Sequence, residues 1–332
     1  MNDRNTEVLE QYELEIKAFR RGRGAWVCET DKGLKLLREY KGTVKRLEFE
    51  EEVLRSLQEG GSCFVDQYIR NKEGELLSTA GDGCRYVVKD WFSDRECNIR
   101  DEEEITGAVS QIARLHKALR KIETKDDWNL GSILSEPMTE EMERHNRELR
   151  RTRNFISSKR KKSDFELCVM GNFSMFYEQA LEACEGLGRM VSETGAPEHY
   201  LCHGELNQHH ILMGPGYTAV IEFNKMHLGV QVADLYHFIR KAMEKHGWNM
   251  KLGMRLLNSY DRVLTMGEKE REYLYYLFLY PEKYWKQLNF YYNANKAWIP
   301  ARNTDKLRGL EEHQQARNSF LKRLKADCKG CV

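Results

Sequence analysis

The hydrophobic pattern divides the chain into a strand-rich part before residue 93 and a helical part after residue 100. Short, partly alternating apolar segments between glycine-containing turns predict five strands. These are Leu14–Phe19, Ala25–Glu29, Leu34–Glu39, Phe64–Arg70 and Arg85–Phe92. Apolar residues at helical spacing predict a helix within Gly42–Gly60. The predicted order is three strands, one helix and two strands.

Beyond residue 100 the apolar positions recur at spacings of three and four, which is typical of amphipathic helices. Four long helices are predicted, over Asp101–Lys121, Phe173–Ser192, Ala233–Lys245 and Lys251–Leu264. The fold class is therefore α+β with two lobes. We predict a β-rich N-terminal lobe over residues 1–95, an acidic hinge over 96–104 and a helical lobe over 105–332.

The charges change this picture little, because 53 Lys and Arg face 52 Asp and Glu in 332 residues. A net charge of +1 gives no overall field that would attract nucleic acid or an anionic membrane. The longest apolar run, Tyr273–Tyr280, is too short to span a membrane, and the chain starts without a signal-peptide pattern. We expect an intracellular protein with no membrane span and no nucleic-acid partner.

Two local features have alternative interpretations. Residues 144–162 hold nine Arg or Lys and follow an acidic segment. A solvated helix with i,i+4 ion pairs is favoured over a patch that binds anionic partners.

Nine cysteines without a secretory signal favour reduced thiols. Cys328 and Cys331 form a lone CxxC near the C-terminus, for which crosslinking of neighbouring molecules is a hypothesis.

Seven of the ten histidines fall between residues 199 and 246. One interpretation is a transition-metal site, but the spacing fits no standard zinc pattern. The other uses the segment 200–236 as a whole. Apolar runs on both sides of Gly214-Pro215-Gly216 predict a hairpin, with Glu205 before its first strand and Glu222 after its second. Two carboxylates so placed are typical of phosphoryl transfer, where one orients a hydroxyl and the other holds Mg²⁺.

This segment resembles the catalytic core of the aminoglycoside phosphotransferase and choline kinase group, with its His-Gly-Asp, Asn-Ile-Leu and Ile-Asp-Phe motifs. The phrases YLCHGELNQHHIL, VQVADLYHFIRKAMEKHGWN and YPEKYWKQLNFYYNANKAW are similar to CotS-like spore coat proteins. The resemblance spans nearly the whole chain. It implies a protein-kinase-like fold with a small antiparallel β lobe and a large helical lobe.

The resemblance also assigns roles to individual residues. Glu205 stands where the family has its catalytic Asp, and His210 and Glu222 stand where it has its metal-binding Asn and Asp. His203 matches the motif and is a candidate catalytic-site residue with Glu205, although its role in the family's fold is mainly structural. Gly204, which also matches, and Asp234, which resembles a loop-bracing Asp, imply structural support of the loop.

On the phosphate side, the family has a Lys on the third strand that pairs with a helix Glu. Here Arg38 is the candidate cation, since Lys35 is out of phase with it. Glu50 is the best match for the helix Glu, and Glu51 is the alternative. The resemblance therefore implies Arg38 and Glu50 as cofactor-binding residues.

Three altered polar positions predict weakened chemistry. Glu205 is one methylene longer than Asp, and a misplacement of about 1 Å costs on the order of 10²-fold in rate. His210 is a poor ligand for Mg²⁺, which prefers oxygen. We expect a spore coat protein made in the mother-cell cytoplasm, with other coat proteins as partners and the kinase activity lost or strongly reduced. The alternative is an active phosphotransferase that uses ATP with Mg²⁺ or Mn²⁺ and acts on a small-molecule hydroxyl or a coat protein.

Overall fold

The structure is a computed structural model that describes residues 3–22, 24–61, 63–93, 95–125, 128–294 and 301–329. Two units divide the chain: Met1–Leu134 with Tyr200–Leu228, and Ser135–His199 with Gly229–Val332. The hairpin predicted to carry the site therefore shares a unit with the N-terminal strands. The lobe boundaries at 95 and 105 remain a prediction.

Twelve strands are formed by the described residues. They are β1 (Ile16–Gly22), β2 (Ala25–Thr30), β3 (Gly33–Glu39), β4 (Phe64–Val65), β5 (Tyr68–Ile69), β6 (Ser78–Thr79), β7 (Arg85–Asp90), β8 (Arg95–Glu96), β9 (Tyr200–Cys202), β10 (Ile211–Gly214), β11 (Tyr217–Val220) and β12 (His227–Gly229). The six-stranded sheet has the order β1-β2-β3-β7-β5, with β6 beside β7, and all its pairs are antiparallel. A second sheet has the order β4-β11-β10-β8 and contains the predicted hairpin β10–β11.

The helices of the first unit are α1 (Asp3–Leu9), α2 (Val44–Glu59), α3 (Glu102–Leu119) and α4 (Leu130–Ile133). Thr43 caps α2 by accepting a hydrogen bond from the Arg46 backbone N–H. The apolar face of α2 is buried, and its Leu47 packs with Val87 of β7 and with Leu76 before β6. Burial of this face fixes α2 in the first unit and so positions Glu50.

The second unit is helical in its described part. Its helices are α5 (Met138–Ser158), α6 (Asp164–Thr194), α7 (Val232–Lys245), α8 (Met250–Asp261), α9 (Glu268–Leu279), α10 (Glu282–Asn293), α11 (Ala301–Glu312) and α12 (Gln314–Lys329). The predicted α+β fold class is thereby confirmed. No described helix is both long and apolar enough to cross a membrane.

Two predicted elements differ from the observed ones. The strand predicted over Phe64–Arg70 is two short strands in different sheets, because the chain turns at Asp66 and Gln67 between β4 and β5. The helix predicted from Phe173 begins at Asp164, where Ser163 and Glu166 form a capping box.

All cysteines in the described part of the chain are free thiols. Cys328 is half-buried near the end of α12. Cys331 lies outside the described residues, and the crosslinking hypothesis stays a prediction.

Candidate functional site

The loop between β9 and β10 is held by His203, which is fully buried. Its Nε2 donates to the Ile221 carbonyl at 2.9 Å, and its Nδ1 accepts from the Glu205 backbone N–H at 3.2 Å. The ring also packs on Phe223, with 4.6 Å between ring centroids. With both nitrogens used by the backbone, His203 joins this loop to the end of β11.

Gly204 lies where the same loop passes the segment before β12. Its φ is +87°, and an added Cβ would lie 2.1 Å from the Lys225 carbonyl oxygen. No other residue type fits there without moving the backbone. The sequence prediction of a supporting Gly is consistent with this geometry.

The side chain of Glu205 is exposed, and its carboxylate has no ion-pair or hydrogen-bond partner among the described residues. Its backbone carbonyl lies 2.8 Å from His210 Nδ1 and 2.9 Å from Asn207 Nδ2. Asn207 is buried and also accepts from the His209 backbone N–H at 2.9 Å. The loop is thus braced by Asn207, a residue that the sequence analysis missed, although an Asn before a short helical turn is a known capping signal.

Arg38 on β3 forms a two-point ion pair with Glu222. Its Nη2 donates to Glu222 Oε1 at 2.6 Å, and its Nη1 donates to Oε2. The side chain of Arg38 is 27% exposed and that of Glu222 is 11% exposed, so water screens the pair only partly. Burial alone would lower the pKa of Arg38, but the hydrogen bonds and charge of Glu222 raise it.

Glu222 is held on its backbone side as well. It follows β11 with φ 71° and ψ 54°, a left-handed conformation uncommon for a residue with a side chain. Its backbone N–H donates to Asp66 Oδ2 at 3.1 Å. Burial would raise the pKa of the Glu222 carboxyl, but Arg38 lowers it below its ordinary value, with a smaller contribution from Lys89.

A second ion pair lies beneath the first. Asp66 is completely buried and pairs with Lys89 Nζ at 2.6 Å. Lys89 on β7 is opposite Leu36, and Arg38 is opposite Val87, so both cations project from the same face of the sheet. Burial raises the pKa of the Asp66 carboxyl, while the charge of Lys89 opposes the rise. The sequence analysis identified neither residue, although a Lys directly after the two valines of β7 is a recognisable signal.

Glu50 takes other partners than Arg38. Its Oε1 accepts from Arg46 Nε at 2.6 Å, and its Oε2 accepts from the Tyr68 hydroxyl at 2.7 Å. Glu51 lies near Arg55 and Arg70. Lys35 pairs with Asp90 at 2.6 Å across the sheet. The candidate cation of the third strand, Arg38, therefore pairs with Glu222 after the hairpin rather than with Glu50 of α2.

An open cavity of about 460 Å³ brings together Arg38, His210 and Glu222, along with Glu96 and His209. His209 Nδ1 is hydrogen-bonded to Glu96. A neighbouring cavity of about 260 Å³ has the apolar walls Val27, Trp91, Phe92 and Leu212. Three of the predicted site residues thus share one cleft, while Glu205 is not among the residues that line it.

The residues present do not fit a Mg²⁺ or Mn²⁺ ion in this arrangement. Both carboxylate oxygens of Glu222 accept from Arg38, and His210 Nδ1 lies against the Glu205 carbonyl. Among the described residues, no three His, Cys, Asp or Glu side chains are close enough to hold a metal ion. The predicted metal role of His210 and Glu222 therefore requires that Arg38 releases the carboxylate.

Asp234 lies in the second unit, in the first turn of α7, and is buried. An acidic residue in a first helical turn stabilises the helix through the helix dipole. Its loop-bracing role stays a prediction.

Comparisons with known proteins agree with this fold. The chain is 22% identical over 330 residues to Spore coat protein S of Bacillus subtilis, a match that covers 96% of this chain and 93% of the relative. No family model matches the sequence.

Solved structures share the fold over almost the whole chain. An aminoglycoside phosphotransferase from Alicyclobacillus acidocaldarius is 18% identical with a TM-score of 0.83, covering 98% of this chain and 96% of that protein. A spectinomycin phosphotransferase in complex with ADP and spectinomycin is 10% identical with a TM-score of 0.63 and covers 96% of both chains. An amicoumacin kinase in complex with AMP-PNP and Ca²⁺ is 12% identical with a TM-score of 0.59, covering 96% and 92%. The resemblance predicted from the sequence is confirmed: this chain has the aminoglycoside phosphotransferase-like kinase fold and is similar, along nearly its whole length, to a CotS-like spore coat protein.

Proposed function

We propose that this chain is a spore coat protein in which the kinase-like cleft has become a structural element without phosphotransferase activity. It would be made in the mother cell, deposited in the coat and bound there to other coat proteins. The similarity to Spore coat protein S over 96% of this chain supports the coat role. The ion pair between Arg38 and Glu222 is the observation that carries the loss of activity.

This ion pair opposes nucleotide chemistry in two ways. Arg38 donates one N–H from each terminal nitrogen to Glu222, so a phosphate would have to compete with that carboxylate for the guanidinium. A metal ion at Glu222 would lie beside the positive guanidinium that both carboxylate oxygens already accept from, and the two cations would repel each other. Removing one partner of a fully buried pair costs about 3 to 5 kcal/mol, and separating this partly exposed pair costs a fraction of that. A nucleotide would have to supply that free energy before it gained any contact of its own.

The catalytic position is also unsuited to proton transfer. The carboxylate of Glu205 is exposed and lacks a partner that would orient it, among the described residues. A general base contributes about 10²- to 10⁴-fold only when it is positioned within hydrogen-bond reach of the hydroxyl. The longer side chain of Glu205 and the absence of a described partner that orients its carboxylate therefore both act against catalysis.

A thermal-shift titration of the full chain with ATP and GTP, each with Mg²⁺ or Mn²⁺, tests the loss of activity. A ligand at 100 times its dissociation constant stabilises a protein by about 2.7 kcal/mol. We expect no shift for the wild type. The matched variant carries Arg38→Lys, Glu205→Asp, His210→Asn and Glu222→Asp, which restore the family's residue types. The proposal is supported if the melting temperature of this variant rises with nucleotide and metal while that of the wild type does not.

The coat role needs a separate measurement. A tagged chain expressed in sporulating Bacillus subtilis is expected in the extracted coat fraction. Recovery in the spore core or the medium would contradict that role, whatever the nucleotide titration shows.

The alternative function is an active phosphotransferase that uses ATP with Mg²⁺ or Mn²⁺ and acts on a small-molecule hydroxyl or a coat protein. The open cavity at Arg38, next to the cavity with Trp91 and Leu212 among its walls, favours it. A metal-dependent shift of the wild type, with phosphate transfer that Glu222→Ala abolishes, would establish this alternative. A shift without turnover would instead indicate a nucleotide-binding switch.

A further inference from the structure

The exposed side of α5 carries its charges in two blocks of opposite sign. The buried side consists of Met142, His145, Asn146, Leu149, Thr152 and Ile156. Opposite to it, at spacings of three and four residues, lie exposed Glu140 and Glu143, followed by exposed Arg147, Arg150 and Arg151. We call these five residues the α5 ridge. It extends over about 16 Å at 1.5 Å per residue.

The charges of the α5 ridge are little used within the chain. Glu143 and Arg147 form one long contact of 3.9 Å, with both side chains more than 60% exposed. Glu140 and Arg150 have no ion-pair partner among the described residues. The Arg151 guanidinium lies 4.7 Å from the ring centroid of Tyr292, which orients it and leaves its N–H donors available.

The order of the two blocks determines what kind of partner fits. A uniformly anionic partner, such as nucleic acid or a lipid surface, would be repelled by Glu140 and Glu143. The complement of an acidic-then-basic helix is a helix with the opposite order. A second copy of α5 in antiparallel orientation provides that order, because an isologous two-fold interface brings each end of a helix to the other end of its copy.

We propose that the α5 ridge mediates self-association, with two copies of the chain pairing antiparallel through α5. A two-fold axis that crosses the exposed side of α5 at the level of residue 145 places Glu143 of each copy against Arg147 of the other. The same register places Glu140 against Arg150 and Arg151. Each contact occurs twice. Pairing through α5 requires neither the coat role nor a particular state of the cleft.

The ridge contains no apolar side chain, so the dimer is held by exposed ion pairs, which are individually weak and screened by salt. The association is therefore favoured at low salt and high protein concentration. Its specificity comes from the charge order rather than from buried area.

Sedimentation equilibrium of the full chain at about 20 mM and about 500 mM NaCl tests the proposal. We expect dimers at low salt, with a dissociation constant at least about tenfold higher at high salt. An acid-reversed variant (E140K/E143K) and a base-reversed variant (R147E/R150E/R151E) should each be monomeric. Mixed in equal amounts they should form a heterodimer, because their ridges have opposite charge.

A swapped variant with all five reversals distinguishes a second copy from any other partner. Its ridge has the opposite order but is again self-complementary, so it should form dimers like the wild type. The matched control reverses three exposed basic residues elsewhere in the same unit (K245E/K251E/R262E). The control should leave the dimer intact.

Three results would overturn the proposal. They are a wild type that stays monomeric at low salt, a base-reversed variant that still forms dimers, and a mixture of the two single-block variants that stays monomeric. Circular dichroism and melting temperature verify that each variant is folded. The mixing experiment decides the outcome if the swapped variant does not fold.

Discussion

The charges of the cleft and the charges of α5 differ in burial, and that difference determines what each set does. Beneath the cleft, Asp66 and Lys89 are almost completely removed from water, and each has the other as its fixed partner. On α5, the side chains of Glu143 and Arg147 are more than 60% exposed, and their charged atoms, Oε2 and Nη1, come no closer than 3.9 Å. Buried charges must be paired for the chain to fold, whereas exposed charges contribute little and stay available to other molecules. The same ion-pair chemistry therefore serves structure in one region and recognition in the other.

The largest expected effect comes from removing one partner of the buried pair. Lys89→Met leaves the Asp66 carboxylate buried without its counter-ion, and we expect a loss of about 3 to 5 kcal/mol in the free energy of unfolding. Urea unfolding followed by circular dichroism measures it. The double variant Lys89→Met/Asp66→Asn should recover part of the loss. Equal stability of the wild type and Lys89→Met would show that the buried charges contribute no more to folding than the exposed charges of α5.

Gly204→Ala is expected to cost slightly less, about 2 to 4 kcal/mol, because the new methyl group meets the Lys225 carbonyl and the backbone has a positive φ. The matched control is Gly107→Ala in α3, where nothing lies within 4 Å of the added Cβ. That control should stabilise the protein by about 0.5 to 1 kcal/mol through helix propensity. A destabilisation at Gly107 equal to that at Gly204 would contradict the steric explanation.

The pH dependence of stability reports on the Arg38–Glu222 pair. Because Arg38 lowers the pKa of Glu222 in the folded state, this pair stabilises the fold above the unfolded-state pKa of Glu222. The contribution is lost as the pH falls through the lowered folded-state pKa. We expect Glu222→Gln to remove about 2 kcal/mol at neutral pH and little at the acidic end. Unfolding free energies of both proteins between about pH 7 and pH 3 provide the difference.

The smallest effect is expected on the α5 ridge. Arg150→Gln should change the free energy of unfolding of the monomer by less than about 0.5 kcal/mol, since an exposed charge without a partner contributes little. The measurement is made at high salt, where self-association is suppressed. A loss comparable to that of Lys89→Met would mean that Arg150 has a structural role, and the contrast between the two regions would fail.

Local patterns were sufficient to predict β1, β2, β3 and β7 and the hairpin β10–β11, whereas β6, β8 and β12 were not predicted. Alternating apolar residues and glycine turns specify these elements within a few residues of sequence. The split of β4 from β5 was not predictable in this way, because it depends on Asp66 turning inward to meet Lys89, which is 23 positions further along the chain.

The sequence indicates residue types for a candidate site but not the partners of their side chains. The motif placed His203, Gly204, His210 and Glu222 in one segment, and the structure brings them together. The pairing of Arg38 with Glu222 joins residues 184 positions apart. No periodicity carries such information, since both Glu50 and Glu222 are suitable acids for Arg38. Only the packing of α2, which gives Glu50 to Arg46 and Tyr68, decides between them.

One contact of α2 has a mechanical consequence. Arg46, while bound to Glu50, also donates to the Met226 carbonyl at 2.6 Å and lies 3.3 Å from the Asn224 carbonyl. The helix and the segment after β11 are thereby fastened to each other at a single guanidinium. Opening of either from the other breaks the same bonds, so we expect their amide hydrogens to exchange together. A movement of α2 relative to this segment would therefore have to break the Arg46 contacts first.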